Sequence, residues 1–238
     1  MKALELNPNS VDGLRALGDV KQYHDFNWKG AEADFKRALE IEPGNAAVLS
    51  IYSVWHQIKG DFNKASLLSK EALSGDPLRP LYYTIEGSIL SFSGKYQEAI
   101  AMNKKVLEIN PAAERAYGII GRNYLFMGKI DDALTAISKE PWDQFREFSL
   151  TLYFHAAGRK KEADEALKSF IEKYEKDWAY YIASIYAYRG EKNKAIEWLE
   201  KAFERKDTYM VYVKSDPLLK NLQNDSRYIS ILKRMNLD

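Results

Sequence analysis

The sequence contains no cysteine, and this absence excludes disulfide bonds, thiolate zinc sites and cysteine nucleophiles. Histidine is scarce as well, and no two of His24, His56 and His155 have the spacing of metal ligands or of a catalytic triad. The motifs H-E-x-x-H, G-x-x-x-x-G-K-[ST] and G-x-S-x-G are also missing. We therefore expect a protein that is not an enzyme and that uses no metal and no cofactor.

Long apolar runs and an excess of one charge are missing too. No segment approaches the roughly 20 apolar residues of a membrane-spanning helix, and the N-terminus, MKALELNPNS, lacks the apolar core of a signal peptide. The 35 basic and 34 acidic residues give a net charge of +1, so no overall field favours nucleic acid or a membrane surface. We expect a protein or peptide partner and a cytoplasmic location, with the periplasm left open if the parent protein is membrane-anchored.

A repeat with a period of 34 residues is present instead. Residues 94–111 (GKYQEAIAMNKKVLEINP) align with residues 60–77 (GDFNKASLLSKEALSGDP) and with residues 128–138 (GKIDDALTAIS). The prolines that close successive units are 35, 34 and 34 residues apart: Pro8, Pro43, Pro77 and Pro111. A fixed period in the thirties is typical of a stacked array of helix pairs.

Small residues recur at fixed places within each unit. An alanine in the second helix, as at Ala31, Ala65 and Ala99, allows two helices to cross closely. A serine or glycine in the middle of the first helix, as at Gly87 and Gly121, indicates that a neighbouring helix needs the space, because glycine otherwise costs a helix about 1 kcal/mol. Five glycines are predicted to end first helices in the left-handed conformation: Gly60, Gly94, Gly128, Gly158 and Gly190.

This pattern of small, aromatic, glycine, alanine and proline positions resembles the tetratricopeptide repeat. The resemblance implies an all-α fold, a right-handed α-solenoid of about six helix-turn-helix pairs with a C-terminal capping segment. Residues 24–38 (HDFNWKGAEADFKRA) and 216–237 are similar to parts of arrays in bacterial multidomain proteins. In those proteins the arrays follow adenylate/guanylate cyclase, winged-helix regulator or protein kinase domains.

We predict one superhelical domain over residues 1–238. Residues 1–8 resemble the end of a cut helix, which suggests a fragment of a longer protein. The fourth repeat is predicted to lose part of its second helix at Glu140-Pro141, with Trp142 filling the gap. The predicted units are regular repeats at 9–43, 46–77, 80–111 and 114–140, divergent repeats at 143–174 and 177–207, and a cap at 208–238.

The resemblance also implies a concave groove lined by the first helix of each pair. The predicted ligand-binding residues are Phe92, Arg115, Arg122, Phe126, Phe148, His155, Tyr180 and Tyr188. Arg115 and Arg122 are two turns apart on one helix face, where they either hold a carboxylate or phosphate together or pair with neighbouring acidic side chains. The aromatic residues are either anchors for a ligand or packing residues.

Other tetratricopeptide proteins grip the C-terminal carboxylate of chaperone tails with lysine and asparagine. The corresponding positions here hold Arg15, Asp19, Ile51, Ile85 and Ile119, so we do not expect chaperone-tail binding. We expect an interaction scaffold that binds a peptide or protein segment, as part of a bacterial regulatory or signalling protein. The alternative is self-association that positions an upstream catalytic or DNA-binding domain. An uncapped first repeat and the tyrosine-rich sixth repeat favour that alternative.

Overall fold

The protein is all-helical over the described residues. The structure, a computed structural model, describes residues 7–237, so residues 1–6 of the predicted cut helix lie outside the described range. The α-helices of this range are α1 Val11–Tyr23, α2 Trp28–Ile41, α3 Ala46–Lys59, α4 Phe62–Gly75, α5 Pro80–Phe92, α6 Tyr96–Ile109, α7 Ala116–Phe126, α8 Ile130–Ile137, α9 Asp143–Ala156, α10 Lys160–Tyr174, α11 Ala179–Tyr188, α12 Lys192–Glu204 and α13 Ser226–Arg234. Two 3₁₀ helices, Thr208–Tyr212 and Pro217–Leu222, lie between α12 and α13.

Consecutive helices pack as pairs, from α1 with α2 to α11 with α12, and neighbouring pairs stack. This arrangement confirms the predicted α-solenoid. Within residues 7–237, no helix combines the length and the apolar character that crossing a bilayer requires.

The turns inside the pairs follow the prediction. All five predicted glycines have a positive φ, between 71° and 83°, which a residue without a Cβ adopts at little cost. The first pair has Phe26 at φ 50° instead, and the next residue, Asn27, caps α2 by accepting a hydrogen bond from the backbone N–H of Gly30 at 3.0 Å. The cap resembles that of the next pair, where Asp61 accepts a hydrogen bond from the N–H of Lys64, so the difference in this turn is the left-handed residue, Phe26 in place of glycine.

Close helix contacts explain the small residues. A Cβ on Gly121 would lie 2.4 Å from Cγ1 of Ile137 in α8. A Cβ on Gly87 would lie 2.6 Å from Nδ2 of Asn103 in α6. The first and second helices of these pairs thus meet at distances that only glycine permits.

Helix α8 is short, as predicted. It has 8 residues, whereas α2, α4 and α6 have 14 each. The prediction that Trp142 fills the gap is wrong, because the Trp142 ring stacks on Phe145 and meets Trp178 edge-on. A cavity of about 470 Å³ is left on the outer face beside Tyr117 and Tyr124.

The C-terminal segment, residues 208–237, closes the array on its first pair. Trp28 in α2 donates a hydrogen bond from Nε1 to the carbonyl oxygen of Met235 at 2.6 Å. The rings of Phe26 and Phe203 stack with centroids 6.3 Å apart. The sequence predicts only a cap on the last pair, and the segment does bury Met210 and other apolar side chains there. Its additional contact with α2 makes the superhelix a ring.

Candidate functional site

A cavity of about 620 Å³ lies on the inner side of the ring. It is lined by the C-terminal segment and by the first helices of five pairs: α1, α3, α5, α7 and α11. The residues just before α5 and α7, Arg79 and Arg115, line it as well. Helix α9 contributes no lining residue among those described. The cavity is therefore a closed-off version of the concave groove that the sequence predicts.

Helices α3 and α5 form the least charged wall. One hydrogen bond of 2.8 Å, from Nε2 of Gln57 to Oγ of Ser88, links the two helices. The lining residues of these helices are Ala47, Ser50, Ile51, Val54, Gln57, Leu81, Tyr82, Thr84, Ile85, Ser88 and Phe92.

Helix α1 contributes a wall that carries both charges. Arg15 pairs with Asp19 at 3.3 Å and lies 3.7 Å from Asp12. Burial raises the pKa of Asp19 to about 6, while the neighbouring Arg15 opposes the rise. The cationic charge on this wall is thus already matched by carboxylates.

Arg115 lies at the start of α7 and has no such partner. Its terminal nitrogens donate to the hydroxyl groups of Tyr181 and Tyr209, both at 3.1 Å. The guanidinium also lies over the rings of Phe145 and Tyr209, at 5.1 and 5.4 Å from their centroids. Within the described part of the chain, no carboxylate approaches it to 4 Å. Its Nε is buried without an acceptor.

The backbone of Arg115 is left-handed, with φ 72°. Glu140, at the end of the shortened α8 segment, fixes this geometry. Its carboxylate accepts hydrogen bonds from the backbone N–H groups of Arg115 at 2.8 Å, Gly118 at 2.9 Å and Trp142 at 3.1 Å. A non-glycine residue in this conformation is strained, and such strain is common at functional sites.

Arg122 lies two turns further along α7. Among residues 7–237 it makes no hydrogen bond and no ion pair within 4 Å. Burial lowers its pKa, and the charge of Asp216 opposes the shift. Asp216 itself accepts hydrogen bonds from the Tyr180 hydroxyl and the Leu218 N–H, both at 2.9 Å. Burial raises the pKa of Asp216, while Arg122 opposes the rise.

The predicted site residues separate into three groups. Phe92, Arg115, Arg122 and Tyr180 line the cavity. Phe126, His155 and Tyr188 do not line it: the Tyr188 ring contacts His155 at 5.6 Å and Phe126 at 6.5 Å in a separate cluster.

Phe148, which was predicted to bind a ligand in the groove, lies in the core instead. It is fully buried, because α10 and α11 cover that face of α9, and its ring contacts Phe170 and Tyr181. Of the two interpretations of the aromatic residues, ligand anchor or packing residue, Phe148 therefore fits the second.

Three lining residues in the C-terminal segment were not predicted: Tyr209, Tyr212 and Asp216. They lie outside the repeat register, so the groove positions of the first helices gave no information about them. Asp207 positions the segment, because its carboxylate accepts hydrogen bonds from the backbone N–H groups of Tyr180 at 3.1 Å and Tyr209 at 3.0 Å.

Comparison with known proteins agrees with this architecture. The family model described as "Tetratricopeptide repeat" matches residues 81–112 and 180–209, which fall on α5–α6 and on α11–α12 with the turn that follows. The comparison with curated proteins finds no match.

Several solved structures have a similar fold. Pseudomonas aeruginosa pilF has a TM-score of 0.58 and 19% identity, with 94% of this chain and 97% of that chain covered. A tetratricopeptide repeat protein from Parabacteroides merdae has a TM-score of 0.54 and 19% identity, covering 95% and 92%. A MamA protein has a TM-score of 0.54 and 26% identity, covering 71% and 94%. With its helix pairs, its glycine turns and these matches, the chain has the fold of tetratricopeptide-repeat proteins, and the family model matches two stretches of it.

Proposed function

We propose that the chain is a non-catalytic interaction scaffold that holds a short segment of a protein or peptide in the inner cavity. The observation that carries this proposal is the cavity itself, about 620 Å³ in volume and lined by the first helices. Arrays of this kind use their concave surface for binding. The volume is within the range of about 300–1,000 Å³ typical of ligand sites.

The ring closure limits what the cavity accepts. Tyr209 and Tyr212 of the C-terminal segment occupy the inner surface beside Arg115 and Phe92, so a long extended peptide does not have the whole groove available. A chain end or a tight turn that inserts a few side chains fits better. We further propose, from the resemblance of residues 24–38 and 216–237, that the array serves a bacterial regulatory or signalling protein.

Self-association has less support. Of the tyrosine-rich repeat, Tyr180, Tyr181 and Tyr186 are buried. The first pair, in turn, contacts the C-terminal segment through Trp28. The tyrosine-rich repeat and the first helix pair, which favoured self-association in the sequence, thus make contacts within one chain.

The proposal is tested by selecting peptides from a random display library on the complete chain and measuring their affinities for two variants. Thr84→Trp places a large ring in the cavity, and Thr135→Trp places the same ring in the outer cavity. The two threonines are matched, because each donates its Oγ1 to the carbonyl four residues earlier, at 3.2 and 3.0 Å.

We expect the selected peptides to lose most of their affinity for Thr84→Trp and to bind Thr135→Trp like the original chain. Equal binding to the original chain and to Thr84→Trp would contradict the proposal. So would a selection that yields no binding peptide.

A further inference from the structure

Two arginine side chains in the inner cavity, Arg115 and Arg122, have no carboxylate within 4 Å among residues 7–237. The guanidinium of Arg115 donates only to the neutral hydroxyl groups of Tyr181 and Tyr209, and the guanidinium of Arg122 makes no hydrogen bond or close ion pair within residues 7–237. An arginine side chain carries N–H donors on all three nitrogens, so most donors of the two groups have no acceptor. Charged groups out of bulk water are normally paired, so this arrangement needs an anion.

The two arginines border the same cavity. Arg115 immediately precedes α7, and Arg122 lies within that helix. Arg115 donates to the Tyr181 hydroxyl, and Arg122 also acts electrostatically on that tyrosine. Tyr181, which also lines the cavity, thus interacts with both arginines.

The remaining charges of the cavity determine how much negative charge is needed. Arg15 is matched by Asp12 and Asp19 on the opposite wall. Arg79 lies at the exposed rim, over the ring of Tyr82. Asp216 offsets part of the charge of Arg122. Two arginines against one aspartate leave about one positive charge unmatched.

Contacts from distant parts of the chain hold Arg115 in place. Glu140 holds its backbone in the left-handed conformation, and tyrosines from α11 and the C-terminal segment hold its side chain. Such a strained and fixed arginine is pre-organised for a ligand.

We propose that Arg115 and Arg122 bind one carboxylate group of the segment that enters the cavity. This inference rests on the proposed function, since it names the chemical group that the cavity recognises. The planar guanidinium matches the two oxygens of a carboxylate. A single carboxylate also matches the one unpaired positive charge, whereas a phosphate monoester carries nearly two negative charges.

The test uses small probes on the complete chain. N-acetylglycine presents a peptide-like carboxylate, N-acetylglycinamide is its uncharged counterpart, and inorganic phosphate is the competing oxyanion. Binding is followed at constant ionic strength by the NMR signals of the arginine Nε–H groups. The variants are Arg122→Gln and Arg122→Lys, with Arg159→Gln as the matched control, because Arg159 pairs with Glu162 on the exposed surface.

We expect saturable binding of N-acetylglycine, none of N-acetylglycinamide, and an affinity about tenfold lower for Arg122→Gln. Arg122→Lys should fall between, since it keeps the charge but not the planar group. Arg159→Gln should behave like the original chain. Equal binding of both probes, tighter binding of phosphate, or no effect of Arg122→Gln would overturn the inference.

The peptide selection separates this inference from the proposed function. Peptides that bind in the cavity equally well as free acids, as C-terminal amides and with neutralised acidic side chains would support the function and overturn the carboxylate site. Binding of N-acetylglycine at Arg122 without any selected peptide would support the site and contradict the function.

Discussion

Single glycines control how closely the helix pairs pack. Gly121 faces Ile137, which is fully buried and cannot move aside, and the carbonyl oxygen of Ala133 lies 3.1 Å from where a Cβ would be. Gly44, by contrast, has no atom within 4 Å of its would-be Cβ. The two positions make a matched pair for one substitution.

Gly121→Ala is expected to destabilise the protein by about 1–3 kcal/mol, since the added methyl group overpacks the contact between α7 and α8. Gly44→Ala should change stability by no more than about 0.5 kcal/mol. Urea denaturation of both variants checks this. If Gly121→Ala proved as stable as the original chain, the close contact of these helices would be wrong.

Asp19 gives the stability a pH dependence. Its folded pKa of about 6 is above its ordinary value of 3.8, so the folded state favours the protonated form. This contribution to stability is fully present below about pH 4 and is lost as the pH rises through about 6. Asp19→Asn removes the group that titrates.

Between pH 4 and pH 7, we expect the free energy of unfolding of Asp19→Asn to rise relative to that of the original chain by on the order of 1–2 kcal/mol. This figure is reduced for solvent screening, because 31% of the Asp19 side chain is exposed. Denaturation at both pH values measures it. Asp12→Asn is the control, because its side chain is 89% exposed. Parallel pH curves for Asp19→Asn and the original chain would exclude a raised pKa.

At the scale of single residues, some of the side chains that line the inner cavity could be predicted from the sequence. Phe92 and Arg122 were placed on the inner surface because the resemblance to the tetratricopeptide repeat implies which positions of a first helix turn inward. Phe148 follows the same register but packs in the core, since an aromatic side chain on a groove position satisfies a neighbouring helix equally well. The position within the repeat indicates which way a side chain points, and the packing of neighbouring helices decides whether that side chain is exposed.

At the scale of helices, the shortened α8 has a structural use. Its end brings Glu140 to the start of α7, where the carboxylate accepts hydrogen bonds from the backbone N–H groups of Arg115 and Gly118, which the helix cannot satisfy itself. The same carboxylate accepts a third hydrogen bond from the N–H of Trp142, which precedes α9. The helix was predicted to be cut short at Glu140-Pro141, and it ends earlier, at Ile137. The cap itself is a contact across 25 residues, which helix propensity does not reveal.

Glu140→Ala is expected to cost about 2–4 kcal/mol, because it leaves buried N–H groups without an acceptor. Glu165→Ala is the control, since Glu165 is exposed and lies only 3.9 Å from Lys161 in a surface pair, which contributes about 0–1 kcal/mol. Urea unfolding monitored by circular dichroism compares them. Similar midpoints for the two variants would mean that Glu140 does not cap α7.

At the scale of the molecule, the array forms a ring. The helix pairs and glycine turns could be predicted, because each depends on residues a few positions apart. The closure could not, since Trp28 and Met235 are 207 residues apart and nothing in the repeat pattern indicates a contact between them. Closure converts a long groove into a cavity of about 620 Å³, and the proposals on ligand size and charge depend on it.

The distance between the two ends of the array tests this closure most directly. The chain has no cysteine, so Lys29→Cys and Lys233→Cys, both at exposed positions, provide two unique sites for spin labels. Because Trp28 hydrogen-bonds to Met235, double electron–electron resonance should give one narrow distribution at a short distance. A broad distribution centred at the long distance of an open superhelix would contradict the ring, and with it the cavity.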